Sequence, residues 1–73
     1  MAVIKSLIKD SSRNIPIRGE TVADYSFYGD YFSIWSYKDG DMNRKGACSQ
    51  NMQFNKEVAK VLRDALDLFL MDK

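Results

Sequence analysis

The chain has 73 residues, 45% of them apolar and 12% aromatic, and carries 11 Lys+Arg against 10 Asp+Glu for a formal charge of +1. The absence of His and the single cysteine, Cys48, exclude imidazole chemistry, an internal disulfide and a thiolate zinc site. This length accommodates one domain, spanning residues 1–73, with a core small enough that a partner subunit is the default expectation. No apolar run reaches membrane-spanning length and no charged-then-apolar leader opens the sequence, so a soluble, cytoplasmic protein without a membrane partner is expected.

In chain order, the first segment is ambiguous. Val3, Ile4, Leu7 and Ile8 fit a helical period, yet Val3–Ile8 is also a fair strand, and a strand is the reading adopted over residues 1–9. Asp10-Ser11-Ser12-Arg13-Asn14 then makes a turn. Ile15–Arg18 and Thr21–Ala23 are plausible strand pieces, the first confined by Pro16 to an edge or a strand start. Tyr25, Phe27 and Tyr28 either extend an aromatic surface or fill the base of the sheet, and the second role suits Phe27 best.

Tyr31–Tyr37 is rich in β-formers, and Cys48–Phe54 alternates through Cys48, Gln50, Met52 and Phe54. Between them Lys38-Asp39-Gly40-Asp41 is a turn signal, so the two runs form a hairpin with a long loop that carries Arg44-Lys45-Gly46. Cys48 reads as a small, at least half-buried hydrophobe. Asn55 is an acceptable cap for a helix over Lys56–Met71, with Lys60/Asp64 and Arg63/Asp67 as i,i+4 pairs. Its apolar residues, widened by Leu68 and Leu70, span an arc of roughly 200°, about twice what one packing surface needs. Two explanations stand: the same helix of another copy, through Leu62, Leu66, Leu68, Phe69 and Leu70, or an N-terminal segment folded over it. The fold class is therefore α+β: an antiparallel sheet of about four strands followed by one C-terminal amphipathic helix.

Charge is distributed in blocks. Residues 1–19 sum to +3, residues 20–42 to −4 and residues 43–63 to +4, so two basic blocks can form a local positive face on a nearly neutral chain or remain separate solvated surfaces. Strand alternation puts Phe32, Ile34, Met52 and Phe54 on the core side and displays Tyr31, Trp35 and Tyr37 beside Ser49, Asn51 and Gln53. Aromatic rings, side-chain amides and the cations Lys38, Arg44 and Lys45 suit single-stranded nucleic acid, since every base offers a π face and every nucleotide a phosphate. The same face also suits a protein partner or plain cross-strand packing.

Motifs for catalysis are missing, with no phosphate-cradling Gly-rich loop, HExxH or nucleophile elbow, and no enzyme, cofactor or metal is expected. Asp30, Asp39 and Asp41 match the spacing of a divalent-ion loop only in part, and turn chemistry accounts for them better.

The sequence Phe32-Ser33-Ile34-Trp35-Ser36-Tyr37 and the run Met52-Gln53-Phe54-Asn55-Lys56-Glu57 carry a resemblance. From Tyr31 onward the chain resembles the single-stranded-DNA-binding domain of the positive-cofactor-four family of transcriptional coactivators, including its short bacterial relatives. The resemblance implies four antiparallel strands and a helix, dimerisation through that helix, and nucleic acid held on the sheet. A non-catalytic, DNA-binding homodimer acting as a transcription or replication accessory factor is the resulting expectation. Tyr31, Trp35 and Tyr37 would stack bases, Lys38, Arg44 and Lys45 would meet phosphates, and Asn51 and Gln53 would meet base edges. The alternative is a small protein-interaction module, a regulator or inhibitor, using the same face.

Overall fold

A computed structural model describes residues 2–71. Four strands, β1 (Ala2–Ile4), β2 (Ala23–Tyr28), β3 (Tyr31–Ser36) and β4 (Gln50–Phe54), precede one helix, α1 (Lys56–Met71). They form a single sheet in the order β1-β4-β3-β2, an α+β arrangement as expected.

The hairpin of β3 and β4 is antiparallel, with Phe32 opposite Phe54, Ile34 opposite Met52 and Trp35 opposite Asn51. Its loop begins with a tight turn: Asp41 N–H donates to the Lys38 carbonyl at 2.8 Å, and Gly40 takes φ +89 at the third position, where a side chain would be strained. The strand that flanks β3 on its other side is Ala23–Tyr28, and it joins β3 through only two residues, Gly29 and Asp30. Gly29, at φ +59, supplies the left-handed first position of that tight hairpin.

Only β1 departs from antiparallel pairing. It runs parallel to β4, Ala2 opposite Met52 and Ile4 opposite Phe54. Because β1 and β2 occupy opposite edges and point the same way, the chain between them must return along the strands and cross about 14 Å of sheet. Residues 5–22 make that crossing without helix or strand. Ile15–Arg18 and Thr21–Val22 therefore are not strand pieces, and Ile17 is 99% exposed. Pro16 lacks the donor a ladder needs, and both edges of the sheet are taken by β1 and β2. Of the strand reading of residues 1–9, Met1 lies outside the described residues, Ala2–Ile4 is a strand and residues 5–9 are not. Thr21 and Glu20 fasten the end of the crossing, the Thr21 hydroxyl donating to the Lys38 carbonyl at 3.0 Å and Gly40 N–H to the Glu20 carbonyl at 2.7 Å.

The helix has the boundaries its periodicity predicts. Asn55 caps it, its Oδ1 accepting Val58 N–H at 2.9 Å. Of the two i,i+4 pairs expected, neither is an ion pair among the described residues, and Arg63 instead reaches its neighbour Asp64 at 3.5 Å. Phe54 and Val58, flanking the cap, are the two buried apolar residues among those described, and Leu62 is half-buried. Phe27, Phe32, Phe54 and Ala59 line one shallow groove of about 210 Å³, which sets the first turns of the helix beside that aromatic face. Beyond Leu62 the helix is unsupported: Leu66, Leu68, Phe69, Leu70 and Met71 are exposed.

The strands leave a second apolar surface open. Tyr25, Phe27, Phe32 and Phe54 form a chain of ring contacts with centroid separations of 5.5–6.2 Å. Phe27 nevertheless is 75% exposed and Tyr25 is exposed as well, so these rings pack laterally on the sheet and do not fill its base. Cys48 is exposed too, because it lies in the loop before β4 and not within the strand.

The two turn devices are separable by mutation. Gly40→Ala and Asn55→Ala are each expected to lower stability by about 1 kcal/mol, the first through backbone strain and the second through the lost cap, read as a shift in urea midpoint at unchanged slope. An unchanged midpoint in either variant contradicts the role given to that residue.

Candidate nucleic-acid interface

Alternation across the register places Val3, Asp24, Ser26, Tyr28, Tyr31, Ser33, Trp35, Asn51 and Gln53 on the face opposite the aromatic chain. Trp35 stands at its centre, between Asp24 on β2 and Asn51 on β4. The indole and the Tyr37 ring are half-buried, neither sealed nor freely open, while Tyr31 is 39% exposed. Four positions along β3, about 13 Å, separate Tyr31 from Trp35, with the buried Ser33 between them. The three rings thus share a face without touching one another as a set.

Hydrogen bonds order half of this face. Trp35 Nε1–H donates to the Tyr37 hydroxyl at 3.3 Å, and that hydroxyl donates to Asp24 Oδ2 at 3.0 Å. Arg44 closes the network from the loop: its Nε–H reaches both Asp24 oxygens at 3.0 and 3.1 Å, and Nη2 lies 2.9 Å from Oδ1. The guanidinium is brought there by a left-handed residue, since Arg44 takes φ +58. Asp41 holds that bend, its two carboxylate oxygens accepting Lys45 N–H at 3.0 Å and Gly46 N–H at 2.9 Å. Asp41 is therefore spent on loop geometry, as turn chemistry predicts, and among the described residues no cluster of His, Cys, Asp and Glu could hold a metal ion.

Among the expected cations the structure draws a distinction. Lys38 and Lys45 are exposed and make no ion pair among the described residues. Arg44 is already engaged by Asp24. Asn51 and Gln53 are half-buried beside the indole, and Asn51 Oδ1 is shut off from solvent without a hydrogen-bond partner. Sequence reasoning missed Asp24, and it left Tyr28 between extending the aromatic surface and filling the base of the sheet. Tyr28 is exposed beside Tyr31, its cross-strand neighbour, and strand alternation from Ala23 would have placed both residues on this face.

Three carboxylates are shifted in the same direction. The Arg44 hydrogen bond, aided by the Tyr37 hydroxyl, holds Asp24 below the usual carboxylate range against partial burial. Gly46 and Lys45 N–H do the same for Asp41, and Ser12 N–H for Asp10. Asp24 in turn raises the Arg44 guanidinium, through its hydrogen bonds and its charge.

No family model matches the chain, and neither does any curated protein or solved structure.

A depressed folded-state pKa adds stability that is complete above the unfolded value, here the ordinary 3.8 for Asp, and is lost as pH falls through the folded value. Urea midpoints are accordingly expected to hold steady down to weakly acidic pH and to fall below it. Asp24→Asn and Asp41→Asn should each make that acid limb shallower. A limb equally steep in both variants contradicts the assignment of these two carboxylates.

Proposed function

We propose that this protein is a non-catalytic, cytoplasmic, single-stranded nucleic-acid-binding protein that works as a homodimer, in the role of a transcription or replication accessory factor. The observation that carries the reading is a sheet face on which the partly open indole of Trp35 and the phenol of Tyr37 are held in place by hydrogen bonds, next to a loop with two unengaged lysines. An ordered ring loses little freedom when a base stacks on it, and each such stack contributes about 1–3 kcal/mol. Lys38, two residues past β3, and Lys45, next to Arg44, would supply the phosphate contacts. Tyr31 and Tyr28 add a second aromatic pair along the same face. The resemblance of Tyr31–Tyr37 and Met52–Glu57 to the positive-cofactor-four family supports the same ligand class.

Surface area supports the dimer. The chain exposes 6700 Å², against about 4,600 Å² expected of a folded monomer of this size. Part of the difference is the open crossing of residues 5–22. The helix end from Leu66 to Met71 and the rings of Tyr25 and Phe27 add exposed apolar surface to it. A stable interface buries about 800 Å² per partner, which the helix end with Leu62 and its surroundings can supply. The exposed Tyr25–Phe27 surface also favours a second reading, a protein-interaction module, which would engage a partner through apolar contact and not through phosphates.

Salt separates the two. On titration with an oligothymidylate, Trp35 emission is expected to change, with an affinity that falls as salt rises. Lys38→Ala combined with Lys45→Ala should reduce the slope of log K against log salt by about 1.4, at roughly 0.7 per phosphate contact. Emission that ignores saturating oligomer overturns the nucleic-acid reading.

Sedimentation tests the assembly independently. Wild type is expected to sediment as a dimer at micromolar concentration, and Leu68→Glu with Phe69→Glu as a monomer. A monomeric wild type rules out the helix-mediated dimer.

A further inference from the structure

The Asp24–Arg44 pair is out of proportion to any stabilising role. Both side chains remain accessible, at 30% and 47%, and solvent screens an accessible pair of this kind so that it adds little to stability. Yet the pair is made by three short contacts in a forked geometry, and it requires Arg44 to adopt a left-handed backbone that a β-carbon disfavours. Two oxygens of Asp41 are committed to holding that bend. A carboxylate in the fork of a guanidinium occupies the position that two phosphate oxygens would take, because the fork matches both anions. The occupied fork sits on the same face as the indole, since Asp24 is the direct cross-strand neighbour of Trp35.

We propose that Asp24 is an internal phosphate mimic that holds the Arg44 fork until a backbone phosphate displaces it, so that Asp24 sets the affinity of this face for nucleic acid. The proposal rests on the nucleic-acid reading above and adds to it a residue that restrains binding. Displacement exchanges one anion for another at the guanidinium, so the net gain from Arg44 is small in wild type. The exchange also leaves Tyr37 without its acceptor, freeing the hydroxyl that orients the indole. Any anion that replaces Asp24 at Oδ2 can take that hydrogen bond in turn, which favours a ligand that places a phosphate and a base within reach of the same two side chains.

The test is a double-mutant cycle read by Trp35 fluorescence with oligothymidylate. Asp24→Asn keeps an oxygen that accepts from Tyr37 while removing the charge that engages Arg44. It is expected to bind roughly five- to tenfold more tightly near 0.1 M salt, with a salt slope steeper by about 0.7. In the Arg44→Gln background the same Asp24→Asn change should give little gain. Asp24→Thr, which preserves a strand former and a hydroxyl acceptor, serves the same cycle should the asparagine variant fail to fold. A gain that is equal in both backgrounds means that only general repulsion was relieved and overturns the proposal, as does a wild type that binds while neither Asp24 variant binds more tightly. Binding by none of the proteins overturns the nucleic-acid reading and this proposal together. A wild type that does not bind overturns both even where Asp24→Asn binds, because the reading on which the proposal rests is of the wild-type face.

Discussion

Phe54 and Val58 lie on either side of the Asn55 cap, and the joint they make between β4 and α1 is where apolar burial is concentrated. Phe54 is central to the sheet as well, opposite Phe32 on one side and Ile4 on the other. Burying two such side chains contributes about 2 kcal/mol each, a meaningful share of the roughly 5–15 kcal/mol by which small domains are stable. A chain of 73 residues has room for little more than this. The constraint explains the rest of the surface. The helix extends past the Phe54–Val58 joint with its end exposed, and Tyr25 and Phe27 lie open on the sheet. Apolar surface that cannot be covered from within is the physical basis for expecting a second copy.

The two faces of the sheet are ordered by different means. On one, Tyr25, Phe27, Phe32 and Phe54 are held by ring contacts, which are non-directional and tolerate exchange of one large apolar side chain for another. On the other, Trp35, Tyr37, Asp24 and Arg44 are held by directed hydrogen bonds whose geometry fixes each side chain in turn. The same strands carry both because side chains alternate. Cross-strand register is what joins them: a slip of one residue between β2 and β3 would move Asp24 away from Trp35 and send Phe27 to the polar face. The Gly29-Asp30 connection, too short to permit such a slip, is therefore as important to the network as any member of it.

What could be read from the residues followed local periodicity. The helix from Lys56 to Met71, its Asn55 cap, the β3–β4 hairpin and the Gly40 turn all have short-range signatures, and all are present. Alternation likewise assigned Trp35 and Phe32 to opposite faces. Strand β2 was harder to see, because Asp24 and Ser26 interrupt its β-formers, while Ile15–Arg18 offers stronger β-propensity in a segment that must instead cross the sheet. Propensity cannot register that both edges are already occupied. The parallel pairing of β1 depends on partners about fifty residues away and leaves no local trace. Arg44 and Asp24 are also remote in sequence, and their meeting depends on a left-handed residue and an Asp41 clasp that no hydropathy pattern encodes.

The cations of this surface differ in how they are held. Lys38 and Lys45 are exposed and make no ion pair among the described residues, whereas Arg44 is fixed by its fork on Asp24. With a formal charge of only +1, the chain has little long-range field, and the proposed attraction of a polyanion would have to come from within about a Debye length of the loop. A small number of local cations then makes each one count, and the occupancy of a single guanidinium by an internal carboxylate becomes a large fraction of the positive charge that the face can offer. On a strongly basic protein the same ion pair would be inconsequential. Under the proposal, the near balance of charge is what would give Asp24 leverage over the surface it shares with Trp35.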